Sequence, residues 1–303
     1  MARSYRYLHY DVFTSRLFGG NQLAVVLDGR GLAAGTMQAI AREMNFSETT
    51  FLLPPERPDT DVRMRIFTVG TELPMAGHPT VGSTFALART GVIEPGRERF
   101  VFGLGVGPTP VTLAWNGQDL SFVWMTQQAP VFGAPIADPA AAARLLALAP
   151  GDLAPNLPVQ EISCGVPFVF VALATRAAVD RAVATAERFE AFAAATSIKA
   201  HGVFLFSTEP GPDDATVYSR MFAPELGVVE DPATGSASGP LGCYLVRHRL
   251  VAPEQASRML SLQGAKMGRP SHVHISIGTD GGAIASVRVG GESVLAGEGT
   301  LYL

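Results

Sequence analysis

The chain states one pattern twice, and a duplicated plan restricts it to folds made of two like halves. Residues 62–87 read VRMRIFTVGTELPMAGHPTVGSTFAL, and residues 217–245 read VYSRMFAPELGVVEDPATGSASGPLGCYL. Setting His78 against Asp231 brings Pro79 onto Pro232, Gly82 onto Gly235 and Ser83 onto Ser236. Arg65-Ile66-Phe67 then matches Arg220-Met221-Phe222 after a two-residue length difference. Further upstream, GNQLAVVL (20–27) parallels GVPFVFVA (165–172), each a Gly turn running into a β-branched and aromatic strand.

Between that strand and the acidic or histidine motif, each half places one helical stretch. Met37, Ile40, Ala41 and Met44 recur at helical spacing in TMQAIAREMNF, and the alanine-rich stretch 182–195 offers Val183, Phe189 and Phe192. Each stretch leads into a strand, SETTFLLP in one half and HGVFLFST in the other. The pattern predicts an α+β protein of two pseudo-symmetric domains, each a twisted, mostly antiparallel sheet wrapped around one central helix. The central helices are expected to start at Pro79 and Pro232, with Asp231 as an N-cap. Small residues such as Gly82, Ala86, Gly235 and Ala237 suit close packing inside a sheet. The domains are expected at 1–121, joined by a C-terminal strand 293–303, and at 122–292. WNGQD reads as a hairpin turn, and the Pro- and Ala-rich segment 130–158 as a linker with a surface helix.

A net charge of −4 speaks against nucleic acid or an anionic membrane as partner, both of which call for a basic footprint. The longest apolar run, VPFVFVALA at 166–174, is too short to span a bilayer, and no signal peptide is evident at the N-terminus. Two cysteines, Cys164 and Cys243, stand far apart in sequence and form neither a metal knuckle nor a disulfide framework. These features predict a cytoplasmic protein.

If the halves face each other, the helix starts at His78 and Asp231 form one cleft suited to a small anionic ligand. Glu48 lies in NFSETTFLL among apolar neighbours, where partial desolvation would favour proton transfer; a solvent-facing strand position is the alternative. His78 is either a proton shuttle or a structural histidine, and Asp231 either a cap or a ligand contact. Ser236 can offer a hydroxyl or a backbone N–H to an anion, while Ser83 reads as packing. His201 is the approximate repeat mate of Glu48. His272 and His274 share a strand face but lack a third metal ligand, so no metal is expected.

The segments GGNQLAVV, REMNFSETTFLL, RIFTVGTELPMAGHPTVG, FAPELGVVEDPATGSASGPL and QGAKMGRPS together resemble the PhzF family of phenazine-biosynthesis isomerases, in order over nearly the whole chain. The resemblance implies a diaminopimelate epimerase-like fold, with His78 and Asp231 where the epimerases and proline racemase carry cysteines. It implies a cofactor-independent isomerase acting on trans-2,3-dihydro-3-hydroxyanthranilate. Glu48 would take the proton from substrate C3 and help return one to C1. His78, Asp231 and Ser236 would hold the polar groups and relay protons, while Gly77 and Gly235 would bind substrate beside them. It also implies a homodimer. Gln22 departs from the proline usual in the family at the turn beside the pocket. Two other readings stay open: an epimerase or hydrolase with a Ser236–His78–Asp231 triad, and a catalytically silent small-acid-binding protein.

Overall fold

The computed structural model describes residues 3–200 and 202–303; the expectation for His201 lies outside the described residues. The chain is α+β and divides into two units, Met1–Thr126 with Gly290–Leu303, and Gln127–Val289.

In the first unit, strand Ser4–Val12 pairs antiparallel with Asn21–Val26, which pairs parallel with Glu48–Leu53, which pairs antiparallel with Val62–Thr68. The parallel step is the one bridged by a helix, Ala34–Met44, as a crossover demands. Its buried Met37, Ile40 and Ala41 match the predicted face, and Asn45 ends it in a left-handed conformation, φ 52°. The sheet continues through Arg99–Leu104, Gly107–Asn116 and Asp119–Gln127. Asn116 pairs with Asp119 around Gly117 at φ 62°, so the WNGQD hairpin forms as read. Strand Ser293–Tyr302 lies antiparallel on Ser4–Val12.

The second unit repeats this order. Gln160–Ser163 pairs antiparallel with Pro167–Ala172, that strand parallel with Val203–Ser207, and that one antiparallel with Val217–Ala223. Two details depart from the sequence reading. The stretch 182–195 is not one helix: Arg176–Arg181 ends, and Thr185 caps a new helix, Ala186–Thr196, by accepting from Arg188 N–H at 3.3 Å. Phe189 and Phe192 are buried as expected, while Val183 falls in the break and is exposed. The helix in the 130–158 segment, Pro139–Leu145, is a surface helix only on the side of Arg144. Its Ala141, Ala142 and Leu145 belong to the apolar cluster that also holds Phe189, Val203 and Leu205.

Each unit has a central helix of 13 residues, Gly77–Arg89 in the first and Gly235–Arg247 in the second. Both are buried almost all round, which is why their sequences carry no strong polar stripe. The small residues act as anticipated. A Cβ on Gly82 would stand 2.6 Å from both Val12 Cγ2 and Leu23 Cδ2, and one on Gly242 would stand 2.5 Å from Ile275 Cγ2. Only glycine lets helix and sheet approach so closely.

Neither helix starts where proline suggested. The first begins two residues before Pro79 and the second three residues after Pro232. Asp231 is not a helix cap; it ends the short strand Val228–Asp231. The true equivalence is visible in an ion pair that both units share. Arg65 meets Glu72 in two parallel contacts of 2.7 and 2.6 Å, and Arg220 meets Glu230 in two of 2.8 Å. In both, the guanidinium carbon sits over the phenylalanine two residues on, 5.1 Å from the Phe67 ring and 4.7 Å from the Phe222 ring. Aligning Glu72 with Glu230 puts Gly77 on Gly235 and His78 on Ser236. The second unit is longer between Arg and Glu because it inserts a 3-10 turn, Pro224–Leu226, closed by Gly227 at φ 77°. That insertion misled the sequence alignment.

Candidate active site

In the first unit, the central helix enters from Ala76, an extended residue with no side-chain cap. Its first turn is buried, and the His78 side chain is only 4% exposed. Glu48, at the head of its strand, is 15% exposed at the side chain and brings Oε2 to 3.2 Å from His78 Nε2. The two predicted residues are thus brought together, and Glu48 is not on a solvent-washed face. The contact is close but off the line of a straight hydrogen bond.

Burial pushes the His78 imidazole down to about 3, with the Gln22 backbone pulling the other way. At neutral pH the ring is therefore uncharged and keeps a single proton. On its far side, the Asn21 amide nitrogen lies 3.3 Å from Nδ1. A carboxylate this close to a neutral imidazole is a candidate acid/base pair.

The depressed basicity has a measurable consequence. An unfolded chain takes up this proton near 6.5, the folded chain only near 3. Between these values the unfolded state binds the extra proton, so stability falls as pH drops from 6.5 towards 3. Urea unfolding at pH 7 and pH 5 is expected to show a smaller loss in His78→Asn than in the parent protein. An equal loss in both would place the acid sensitivity elsewhere.

Sequence reasoning missed Asn21, the neighbour of His78, and two further polar residues of this unit, Asp11 and His9. Asn21 is buried and stands one residue after Gly20, whose φ of 63° makes the turn into the strand. In sequence the GN pair reads only as a turn, and the hydrogen-bonding capacity of the amide is the signal that could point to more. Asp11, 1% exposed, accepts from Phe18 N–H at 2.8 Å and so holds the loop that follows the first strand. His9 stacks on Phe46 with ring centres 4.5 Å apart. Ser83 bonds Thr50 Oγ1 at 3.0 Å in the core, the packing role expected of it.

In the second unit, Gly235 opens the helix and is buried, whereas Ser236 is the half-exposed residue of an otherwise buried first turn. The N-cap position belongs to Thr234, which makes no capping bond. Asp231 is 8% exposed, and its Oδ2 accepts from Thr234 Oγ1 at 2.5 Å. Uncapped helix starts suit an anionic ligand group, and each unit presents one. Cys164 and Cys243 lie together in the apolar core of this unit, and the contact between their thiols, with burial, pushes Cys243 far above the usual range. Neither stands at a helix start, so a two-thiol racemase is excluded as a reading of these residues.

Residues 10–299 match the family model described as phenazine biosynthesis-like protein, PhzC-PhzF. The chain belongs to the PhzC-PhzF family. It is 36% identical over 304 residues to the trans-2,3-dihydro-3-hydroxyanthranilate isomerase of Pseudomonas aeruginosa, covering 99% of this chain and 100% of that one. It is 37% identical over 299 residues to an uncharacterized isomerase of Mesorhizobium japonicum, covering 98% of both chains. Among solved structures, a PhzF-family phenazine biosynthesis protein of Bacillus anthracis matches with a TM-score of 0.87 at 27% identity, over 99% of this chain and 100% of that one. A hydroxyproline epimerase from Agrobacterium vitis, at 15% identity and a TM-score of 0.68 over 99% of this chain and 93% of that one, shares the fold. The PhzC-PhzF chain is thereby an isomerase on an epimerase-like scaffold.

Proposed function

We propose that this protein is a cofactor-independent isomerase that moves a proton within a small cyclic amino-carboxylic acid, with trans-2,3-dihydro-3-hydroxyanthranilate as the candidate substrate. The observation that carries the reading is the Glu48–His78 pair, a half-buried carboxylate 3.2 Å from a buried, uncharged imidazole. Glu48 takes the proton from substrate C3 and returns one to C1, so the ring gains and loses one proton each cycle and no oxidant is consumed. His78, uncharged and in contact with Glu48, steadies the carboxylate between the two transfers. Gly77 and Gly235 offer backbone N–H groups at uncapped helix starts, and Ser236 adds a hydroxyl. Asp231 accepts a substrate O–H or N–H.

The triad alternative gains no support, because the two nitrogens of His78 are met by Asn21 and Glu48 rather than by a serine and an aspartate. A silent binding protein gives no account of the carboxylate held against the imidazole. Within the same reading, the enzyme acts in the cytoplasm as a homodimer on a small anionic substrate. Two buried free thiols fit a reducing compartment.

Incubation with trans-2,3-dihydro-3-hydroxyanthranilate in D₂O, followed by NMR, tests the proposal. Deuterium should appear at the carbon that receives the proton as the substrate signals decay. Substrate left unchanged by folded protein would sink the substrate assignment.

A further inference from the structure

Three residues of the second unit close a hydrogen-bond circuit whose direction is completely determined. Gln263, on strand Met259–Gln263, is fully buried. Its amide nitrogen donates to the Asp231 carbonyl at 2.8 Å and to Thr234 Oγ1 at 3.0 Å, and its Oε1 accepts from Thr234 N–H at 3.1 Å. The amide admits no reversal: turning it would set an oxygen against the Asp231 carbonyl and an NH₂ group against the Thr234 N–H. Thr234 Oγ1 therefore accepts a hydrogen bond from Gln263 and donates its own O–H to Asp231 Oδ2 at 2.5 Å.

We infer that Thr234 and Gln263 are positioning residues for Asp231: Thr234 keeps Oδ2 as an acceptor and so fixes the plane of the carboxylate, and Gln263 holds Thr234 in that role. This rests on the isomerase reading for the substrate, and on the circuit alone for the orientation. The chemistry of Asp231 needs such a device. A carboxylate turns readily about its terminal bond, and a carboxylate free to turn would meet the substrate in more than one orientation. Gln263 also ties the Asp231 carbonyl to the Thr234 backbone, bracing the turn that carries the carboxylate into the helix. Thr234 stands at the N-cap position, yet its hydroxyl serves the aspartate and not the helix.

The test compares Thr234→Val, which keeps the shape and removes the hydroxyl, with Thr234→Ser, which restores it. In Thr234→Val, kcat on the candidate substrate is expected to fall by up to about a hundredfold through misplacement of the carboxylate, with a much smaller change in KM. Thr234→Ser is expected to recover most of the loss. Equal kcat in the Val variant and the parent, or equal impairment in both variants, overturns the inference.

Two further readouts do not depend on turnover. In ¹³C-labelled protein the Asp231 carboxyl resonance should move in Thr234→Val and return in Thr234→Ser; a resonance indifferent to both overturns the inference even if the substrate proves to be a different acid. In the unmutated protein, which needs no variant to fold, the Gln263 side-chain protons should exchange far more slowly than those of an exposed carboxamide. Fast exchange there likewise removes the circuit. An inactive parent protein with a responsive Asp231 signal and slow Gln263 protons overturns only the substrate assignment.

Discussion

Glu48→Gln should lower kcat on the candidate substrate by about 10²–10⁴-fold while KM changes little, because the amide keeps the shape and an acceptor oxygen but cannot take a proton. The expected loss corresponds to roughly 3–5 kcal/mol of transition-state stabilisation. The substitution leaves the neighbourhood intact. Glu48 heads a strand paired on both sides, with Leu23 and with Thr68, so the backbone does not depend on its charge. An unchanged melting temperature alongside lost turnover would identify a chemical role. A variant that retains more than about a tenth of the parent rate falls short of the expected general acid/base contribution and would overturn the assignment of Glu48 as the proton carrier.

The second large effect concerns stability. Arg220 is buried, pairs through two nitrogens with Glu230, and donates from Nη1 to the carbonyls of Val179, Asp180 and Ala182. Arg220→Met would leave the Glu230 carboxylate, 12% exposed, without its partner and three carbonyls without their donor. Breaking a buried pair from one side costs about 3–5 kcal/mol, so the urea midpoint should fall sharply. The repeat supplies an internal control. Arg65 has the same geometry towards Glu72, but that carboxylate is 40% exposed and water can take over its solvation. Arg65→Met is expected to cost only about 0–1 kcal/mol in lost ion pairing. Comparable losses in the two variants would show that exposure does not decide the value of this pair. In the double variant Arg220→Met with Glu230→Gln, part of the loss should return, because no bare charge is left inside.

Much of the frame was legible because it is local. Gly turns followed by β-branched and aromatic runs located strands, helical spacing located the helix Ala34–Met44, the WNGQD turn located the 116–119 hairpin, and the apolar company of Glu48 pointed to its partial burial. What stayed hidden depends on partners distant in sequence. The pairing of Glu48 with His78 joins residues on different elements, and burial of the ring was invisible in AGHPT. Pro232 is a sound helix-start signal, yet Gln263 bonds the backbone on both sides of the 231–234 turn and postpones the helix to Gly235. Nothing in DPAT announces a glutamine 29 residues away. Cys164 and Cys243 show the same limit. Their distance in sequence suggested independence, and the fold puts their thiols in contact.

Neither central helix is finished the way an optimised helix would be. Ala76 occupies a position where serine or aspartate would add about 0.5–2 kcal/mol, and Thr234, which has the right side chain, turns it away. Both helices therefore start without a side-chain cap. On the proposed reading, in which the N–H donors at these starts are reserved for a guest, ligand binding would give the occupied protein a thermal margin that the empty one lacks.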